Sequence, residues 1–252
     1  MIKKTENEIL QEGLLALSAR SNMDKHIADS KYVNTLMEFL RLVLVQNQTL
    51  NLTKITEPTE FVRLHLLDSL ACVGLPEFSS AEEIIDIGSG AGFPGIPLAA
   101  LFPEKRFVLA DSLRKKVEFI KKATATLGIN NTEALHIRAE AAGHDPGLRE
   151  NFDLALCRAV GKLPLILEYC LPLVRVGGAA VFYKTESAER EIEESLHARK
   201  LLGGSELVQF EAYKDLLPDR SHVLYVVAKE RKTPKKYPRH EGIPSKTPLQ
   251  NN

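Results

Sequence analysis

The sequence predicts an α/β fold: a Rossmann-like, doubly wound sheet of about seven mostly parallel strands, an antiparallel edge hairpin and an N-terminal helical cap. Three observations lead to this prediction. Apolar residues recur at helical spacing over residues 1–75, without strand-like alternation. From Glu83 onward, short apolar runs alternate with helix-forming segments, which is typical of β-α-β units. Near the end of the chain, two apolar runs are joined by a short connection, which favours antiparallel pairing.

The helical cap is predicted from two apolar stripes within residues 1–75. One stripe covers residues 32–44 and the other covers residues 61–71. Pro58 precedes the second stripe, at a position where the first turn of a helix tolerates proline. We therefore interpret residues 1–75 as a cap of helices.

The sheet domain is predicted over residues 76–230. Its seven expected strands are Ile84–Ile87, Phe107–Ala110, Ala134–Ile137, Leu154–Cys157, Ala179–Tyr183, Glu206–Tyr213 and His222–Lys229. Helices are expected between them at Leu113–Leu127, Leu163–Leu173 and Ala188–Leu202. Only Leu216–Ser221 separates the last two strands from each other, so these strands should form the hairpin at the sheet edge.

A basic, mostly extended tail is predicted for residues 231–252. The stretch Lys229–Lys246 holds seven basic and two acidic residues, with four of the prolines in or beside it and no apolar periodicity. Clustered cations of this kind favour contact with nucleic-acid phosphates. A tail that serves only solubility is the alternative.

Overall composition excludes several classes of protein. The chain has 33 basic and 33 acidic residues, so no global charge attracts it to RNA or to a membrane. Its three cysteines (Cys72, Cys157 and Cys170) form no C-x-x-C pair, which predicts a reduced cytoplasmic protein without a metal site. The most apolar stretch, Phe39–Val45, is interrupted by Arg41 and is too short to span a bilayer.

A glycine-rich turn follows the first predicted strand. Ile84–Ile87 leads directly into Gly88-Ser89-Gly90-Ala91-Gly92, and Pro94 and Pro97 suit the opening turn of the next helix. Glycine is needed where a ligand touches the backbone directly. Open parallel sheets bind ligands at the carboxyl ends of their strands, so the turn predicts a nucleotide-cofactor site.

Two acidic residues bear on the identity of the cofactor. Asp86 stands two residues before the first glycine, where a carboxylate can face the cationic amino-acid end of S-adenosylmethionine. Asp111 ends the second strand, in place to accept ribose hydroxyls. The turn favours S-adenosylmethionine, but Gly90-x-Gly92-x-x-Gly95 also satisfies the dinucleotide pattern. NAD and a merely tight turn therefore stay open as alternatives.

Motifs spread over roughly residues 30–250 add a more specific signal. They are Asn51-Leu52-Thr53, Arg63–Ser69, Asp86–Ala99, Leu109–Lys116, Cys157-Arg158-Ala159, Tyr183-Lys184 and Tyr237–Leu249. Together they resemble the RsmG (GidB) family of bacterial small-subunit ribosomal RNA methyltransferases. Cys157 stands where some members have serine, which is a small difference.

The resemblance implies a class I S-adenosylmethionine-dependent methyltransferase that acts on N7 of one guanine in the 530 loop of 16S rRNA. It implies a partner that is 16S rRNA or the small ribosomal subunit, and we expect a monomer without metal. By position it implies the cofactor residues Gly88, Phe93, Asp111, Ser112, Ala139, Glu140 and Arg158. The turn itself adds Asp86, Gly90 and Gly92 to this set.

The chemistry of guanine N7 explains why no catalytic triad is visible in the sequence. N7 carries no proton, so methylation needs alignment and electrostatics rather than a strong base. His65, Asp68, Ser69 and Cys72 share one face of a predicted helix. This face could line the guanine pocket, together with Asn51 and Thr53.

The expected catalytic residues are Asn51, His65, Asp68 and Arg158. The alternative for His65 and Asp68 is that they only tie the cap to the sheet domain. The alternative for Arg158 is an ion pair with a carboxylate such as Asp153.

Contacts with RNA are expected from the basic residues Arg63, Lys115, Lys184, Lys235, Lys236 and Arg239. Three other functions remain open from the residues alone. They are a methyltransferase of small molecules or proteins, an NAD-linked oxidoreductase, and a non-catalytic RNA-binding assembly factor.

Overall fold

The structure is a computed structural model that describes residues 4–21, 28–185, 188–211 and 222–249. Its strands are β1 (Glu83–Ile87), β2 (Arg106–Asp111), β3 (Thr132–His136), β4 (Phe152–Arg158), β5 (Val174–Thr185), β6 (Gly204–Phe210) and β7 (His222–Lys229). The helices before the sheet are α1 (Glu6–Ser21), α2 (Ser30–Leu50), α3 (Pro58–Phe61) and α4 (Pro76–Ser80). The later helices are α5 (Gly95–Leu101), α6 (Arg114–Leu127), α7 (Ala139–Ala142), α8 (Leu163–Cys170), α9 (Glu189–Glu194), α10 (Leu196–Leu202) and α11 (Ile243–Lys246).

The seven strands form one sheet in the order β3-β2-β1-β4-β5-β7-β6. From β3 to β5 all neighbours pair parallel, whereas β7 pairs antiparallel with both β5 and β6. The predicted mostly parallel sheet with an antiparallel edge hairpin is therefore confirmed. The predicted connection Leu216–Ser221 and the end of the sixth predicted strand, Tyr213, lie outside the described residues.

Two layers of helices bury the two faces of the sheet. One core cluster joins cap residues such as Phe39 and Phe61 to Ile84 and Leu109 of the sheet. The other cluster covers the opposite face with α8 and α10. Apolar burial of this kind supplies most of the stabilisation of such a fold. Because the first cluster is continuous from cap to sheet, the cap is held rigidly over the ends of the strands.

The cap differs from the regular helix that the apolar spacing predicts after Pro58. After α3 the chain forms a π-helical turn at Val62–Leu67 and a 3-10 turn at Leu70–Gly74. The amide of Asp68 donates to the carbonyl of Arg63, five residues earlier. Such π turns rotate side chains away from their α-helical positions and occur often at functional sites.

Two predicted elements also have different bounds. The expected helix Ala188–Leu202 is two helices, α9 and α10, which meet at Ser195, where the hydroxyl donates to the carbonyl of Ile192 at 2.7 Å. Strand β5 begins at Val174, earlier than the predicted Ala179. No helix in the described part of the chain is long and apolar enough to cross a membrane.

The basic tail predicted for residues 231–252 has little regular secondary structure where it is described, up to residue 249, but it does not extend away from the protein. This segment packs on the sheet domain, where Tyr237 and Thr233 are buried, and it contains α11. The guanidinium of Arg149 donates to the carbonyls of Thr233 and Tyr237, both at 2.8 Å. Composition describes the charge of this segment correctly, but it cannot show that the backbone is bound by residues far away in the sequence.

Candidate active site

The glycine turn joins β1 to α5 and is held by β2. Gly88 and Ser89 donate their N–H groups to the carbonyl of Ala110 at 2.9 and 3.1 Å. Gly88 has φ +73°, and a Cβ there would lie 2.4 Å from Cγ2 of Val160. Glycine is therefore required at this position both for its backbone conformation and for space.

Asp111, at the end of β2, ties the turn to the next helix. Its Oδ2 accepts the N–H of Gly90 at 2.9 Å, and its Oδ1 accepts the N–H of Leu113 at 2.8 Å. One buried carboxylate thus fixes the glycine turn and the start of α6 together. Each oxygen retains a lone pair for a ligand hydroxyl.

Asp86, in β1, is a fully buried carboxylate beneath the same turn. Its Oδ2 accepts the N–H of Gly95 at 3.1 Å, whereas its Oδ1 has no hydrogen-bond partner among the described residues. Burial raises the pKa of Asp86 to about 7, against the opposing effect of the Ser89 hydroxyl and the Gly95 N–H. An orphaned carboxylate oxygen of this kind favours a positively charged ligand nearby.

A cavity of about 260 Å³ opens beside the turn, and we call it the glycine-turn cavity. Gly88, Asp111, Glu140, Val160 and Tyr169 are among the residues that line it. The hydroxyl of Tyr169 donates to Oε1 of Glu140 at 3.2 Å. The cavity therefore combines open backbone, two carboxylates and apolar walls, which is the lining expected of a nucleoside site.

A second cavity of about 350 Å³, the cap cavity, lies between the helical cap and the carboxyl end of the sheet. Its lining includes His65 and Asp68 from the cap, Arg158 after β4, Lys184 in β5 and His222 in β7. Parallel strands place their carboxyl ends at one edge, and β7 contributes its first residue there because it runs antiparallel to β5.

The imidazole of His65 is held as one neutral tautomer. Nη2 of Arg158 lies 2.9 Å from Nδ1, so Nδ1 must accept, and Nε2–H donates to Oγ1 of Thr53 at 2.7 Å. Burial and then the charge of Arg158 lower the pKa of His65 to about 3. The ring stacks on Phe93 with centroids 4.6 Å apart. His65 is therefore a fixed, uncharged wall of the cap cavity.

Arg158 and Asp68 form the charged centre of the cap cavity. Nη1 of Arg158 lies 2.5 Å from Oδ2 of Asp68, and its guanidinium carbon lies 5.2 Å from the ring centroid of Phe93. Oδ1 of Asp68 lies 2.9 Å from Nδ1 of His222. The hydrogen bond from His222 and the charge of Arg158 keep the pKa of Asp68 below its usual range, although its burial opposes this.

Lys184 and Glu191 form a second ion pair in this cavity. Nζ of Lys184 lies 2.6 Å from Oε2 of Glu191, which also accepts the N–H of Leu163 at 2.9 Å. The hydroxyl of Tyr183 donates to the carbonyl of Ser69 at 2.8 Å and so joins β5 to the cap.

One short segment after β4 separates the two cavities. Arg158, Ala159 and Gly161 line the cap cavity, whereas Val160 lines the glycine-turn cavity. Ala159 has φ +57°, a conformation that non-glycine residues adopt rarely and at some cost in energy. This segment therefore forms a wall that the two cavities share.

The structure places the remaining predicted site residues in different surroundings. Ser112 and Ala139 line the glycine-turn cavity, and Phe93 stands against His65. Asn51 ends α2 in a left-handed conformation with φ 47°, and it is exposed and does not line the cap cavity. The catalytic role of Asn51 stays a prediction, and its observed role is to terminate a helix.

One expectation about side-chain position is wrong, and the ion pair considered as the alternative for Arg158 is present with a different carboxylate. Cys72 is fully buried and does not line the cap cavity, because the π and 3-10 turns break the helical spacing on which that expectation depended. Arg158 pairs with Asp68 and not with Asp153, which binds Arg175 instead.

The basic residues expected to contact RNA fall into two groups. Arg63, Lys115, Lys235 and Lys236 are exposed. Lys184 and Arg239 are each paired with a glutamate, Glu191 and Glu168. The first group therefore presents free positive charge to solvent, whereas the second group is neutralised within the protein.

Sequence reasoning missed His222, which binds Asp68 directly. A signal was present, because a histidine that begins an antiparallel strand beside a parallel one lies at the ligand-binding edge of the sheet.

The fold and the two cavities define a class of protein. The fold is that of the class I methyltransferases. It is similar to the S-adenosylmethionine-dependent methyltransferase SibL, with TM-score 0.54, 14% identity, and coverage of 87% of this chain and 74% of that one. It is also similar to a SAM-dependent O-methyltransferase of Thermotoga maritima, with TM-score 0.50, 14% identity, and coverage of 76% and 72%.

The sequence comparisons narrow this class to one family. The model of the GidB family, described as rRNA small subunit methyltransferase G, matches residues 32–216. Ribosomal RNA small subunit methyltransferase G of Alkaliphilus metalliredigens strain QYMF is 42% identical over 226 residues, which cover 89% of this chain and 93% of the relative. The protein of that name from Bacillus cereus strain B4264 is 37% identical over 242 residues, with 96% of each covered. The chain belongs to the GidB family.

The residues present fit the methyl donor of this family, S-adenosylmethionine. The unpartnered Oδ1 of Asp86 suits a cationic group, and Gly88 leaves no space for a Cβ, which would lie 2.4 Å from Cγ2 of Val160. Asp111 and Glu140 offer carboxylate oxygens to the hydroxyls and amine of a nucleoside. Membership of a methyltransferase family sets aside the NAD-linked oxidoreductase, the alternative left open by the glycine pattern.

Proposed function

We propose that this protein transfers a methyl group from S-adenosylmethionine to N7 of a guanine in the 530 loop of 16S rRNA, and that it does so in the cytoplasm as a monomer. Family membership supports a methyltransferase of small-subunit rRNA. The assignment to atom N7 and to the 530 loop goes beyond family membership. It rests on the motifs shared with the RsmG (GidB) family and on the chemistry of the cap cavity.

One observation carries the assignment to N7: within the described residues, three groups of the cap cavity that could act as bases, His65, Asp68 and Glu191, are each engaged by neighbouring side chains. The imidazole of His65 has a pKa of about 3, and its Nδ1 is occupied by Arg158. Both oxygens of Asp68 are engaged, and Glu191 is paired with Lys184. An exocyclic amine or a hydroxyl must lose a proton when it is methylated, whereas N7 has none to lose. The cavity therefore suits a bare ring nitrogen.

The glycine-turn cavity would hold the methyl donor. When bound, S-adenosylmethionine supplies a methyl group that is activated by its sulfonium charge. Asp111 and Glu140 would bind the nucleoside, and Gly88 would allow close approach of the backbone. Val160 would keep water from the shared wall, because its side chain fills the space beside Gly88.

The cap cavity would orient and stabilise the guanine. The base must leave its stack for its Hoogsteen edge to reach the shared wall. Methylation at N7 leaves a positive charge on the ring, and the Asp68 carboxylate is positioned to offset it. The exposed Arg63, Lys115, Lys235 and Lys236 are proposed to contact rRNA phosphates.

The experiment is methyl transfer with the full chain and S-adenosylmethionine labelled on its methyl group. Small ribosomal subunits and deproteinised 16S rRNA from a strain lacking the protein serve as substrates. Digestion to nucleosides should give labelled 7-methylguanosine, and chemical cleavage at that base should map it to the 530 loop.

The matched control is Asp111→Asn, which keeps the size of the side chain but loses one of the two backbone acceptors. Label on a different guanine atom would refute the N7 assignment. Label on protein, or on small molecules alone, would refute the rRNA substrate.

A further inference from the structure

The segment Tyr237–Lys246 lies beside the glycine-turn cavity, although it is far from the glycine turn in sequence. Ser245 is one of the residues that line the cavity. The N–H of Gly242 donates to Oε1 of Glu140 at 3.1 Å. Within the described residues, this part of the chain thus supplies both a wall of the cavity and a hydrogen bond to one of its carboxylates.

The segment is anchored by an ion pair between Arg239 and Glu168. The Glu168 side chain is completely buried, and it accepts the backbone N–H of Arg239 at 2.8 Å, Nε–H at 2.9 Å and Nη2–H at 2.7 Å. The Glu168 carboxylate raises the pKa of Arg239. A carboxylate with no exposure is costly without such partners. Glu168 therefore binds Arg239 and holds it in place.

A second contact depends on shape. The carbonyl of Pro238 lies 2.6 Å from Nε2 of His144, and the ring of Pro238 packs on Gly143. A Cβ at Gly143 would lie 2.4 Å from Cγ of Pro238. Gly143 directly follows α7, the helix that carries Glu140. The segment and the helix are therefore fitted to each other.

The carboxylate of Glu140 has one oxygen for the protein and one for a ligand. Its Oε1 accepts both the Gly242 N–H and the Tyr169 hydroxyl. No described residue bonds its Oε2, and that oxygen is not among the buried atoms without a partner, so it faces the cavity. The Gly242 bond therefore aims a free carboxylate oxygen at whatever occupies the cavity.

We propose that Tyr237–Lys246 is a cofactor-binding element, in which Arg239 anchors the segment and Gly242 orients Glu140 toward the nucleoside of S-adenosylmethionine. The proposal rests on the proposed function for the identity of that ligand. It divides the basic segment into two parts. Arg239 faces inward and acts on the cofactor, whereas Lys235 and Lys236 face solvent and are left for rRNA.

The experiment is calorimetric titration of the full chain with S-adenosylhomocysteine, without RNA. Arg239→Ala releases the anchor, and Gly143→Ala displaces Pro238 without changing the segment itself. Arg239→Ala should bind about tenfold more weakly, as expected when one well-made charged interaction is removed. Gly143→Ala should weaken binding in the same direction, because the new Cβ would displace Pro238. The control K235A/K236A removes two charges immediately before this segment and should bind within about twofold of the wild type.

A third variant, Ser245→Phe, leaves both anchors intact and enlarges a residue of the cavity wall. It should abolish titratable binding, and it decides the matter if Arg239→Ala does not fold. Wild-type affinity in folded Arg239→Ala and Gly143→Ala, or in Ser245→Phe, would overturn the proposal. Because the readout is binding without RNA, it is independent of which guanine atom is methylated.

Discussion

Arg158, at the end of β4, and Asp68, in the helical cap, form a buried ion pair with Nη1 and Oδ2 2.5 Å apart. The same two side chains line the cap cavity. The sequence left two interpretations of Asp68, one catalytic and one as a tie between cap and sheet. The geometry is compatible with both, because the contact that joins the cap to the sheet also lines the cavity that we propose as the acceptor site.

Replacing His65 by alanine should lower turnover on small ribosomal subunits by about 100-fold, because loss of the stack on Phe93 frees Arg158 and misplaces the bound base. Affinity for S-adenosylhomocysteine should stay within about twofold, since His65 does not line the glycine-turn cavity. Single-turnover kinetics and calorimetry measure the two quantities separately. Unchanged turnover would refute the role of His65.

Acid should destabilise the protein partly through His65. Its pKa is about 3 in the folded state, against about 6.5 when unfolded. Between these values only the unfolded chain binds the proton, so stability falls as the pH drops from about 6.5 toward 3. At pH 5 the loss from this residue is about 2 kcal/mol.

Urea unfolding at pH 7 and pH 5 measures this loss, with His65→Gln as the variant that cannot titrate. The wild type should lose more stability than His65→Gln on going to pH 5. Equal losses in the two proteins would show that His65 titrates normally in the folded state.

Replacing Gly88 by alanine should destabilise the protein by about 1–3 kcal/mol, from strain at φ +73° and from the contact with Val160. It should also abolish cofactor binding. The control Gly128→Ala has a similar φ of +67° with no atom within 4 Å of the new Cβ, so it reports the backbone cost alone. Val160→Ala should restore part of the stability in the double variant, and thermal unfolding would show whether it does.

Replacing Lys235 and Lys236 together by glutamine should weaken binding to 16S rRNA according to the number of phosphates that the two ammonium groups neutralise. Each neutralised phosphate adds about 0.7–0.9 to the slope of log affinity against log salt concentration. The double variant should therefore have a slope about 1.5 smaller in magnitude. Filter binding at several salt concentrations measures it, and identical slopes would place these lysines outside the RNA interface.

The fold was predictable wherever one stretch of sequence determines its own structure. The apolar runs located the strands, and the glycine turn with Asp111 indicated a cofactor site. Strand β5 was predicted to begin at Ala179, after Gly177 and Gly178. In the structure they lie in the strand, where a Cβ on Gly178 would meet the carbonyl of Asp153 at 2.4 Å. Gly178 is therefore needed because the neighbouring strand β4 leaves no space for a side chain. The sequence around Gly178 does not reveal that neighbour.

The site was only partly predictable for the same physical reason. His65, Asp68 and Arg158 could each be named, but their mutual contacts depend on packing of the cap against the sheet. The segment Lys229–Lys246 as a whole was predicted to contact RNA, because composition counts the charge of Arg239 without showing that it is paired. Its partner, the buried Glu168, lies 71 positions earlier. An ion pair between residues so far apart in the sequence leaves no local pattern from which it could be predicted.

The shared wall at Ala159 and Val160 has a thermodynamic consequence. Any movement of Val160 when the methyl donor binds is transmitted along the backbone to Ala159 and Gly161, which border the guanine site. We expect the two substrates to be coupled through this segment, and linkage requires any such coupling to be reciprocal. If the bound cofactor changes the affinity for rRNA by a given factor, bound rRNA must change the affinity for the cofactor by the same factor.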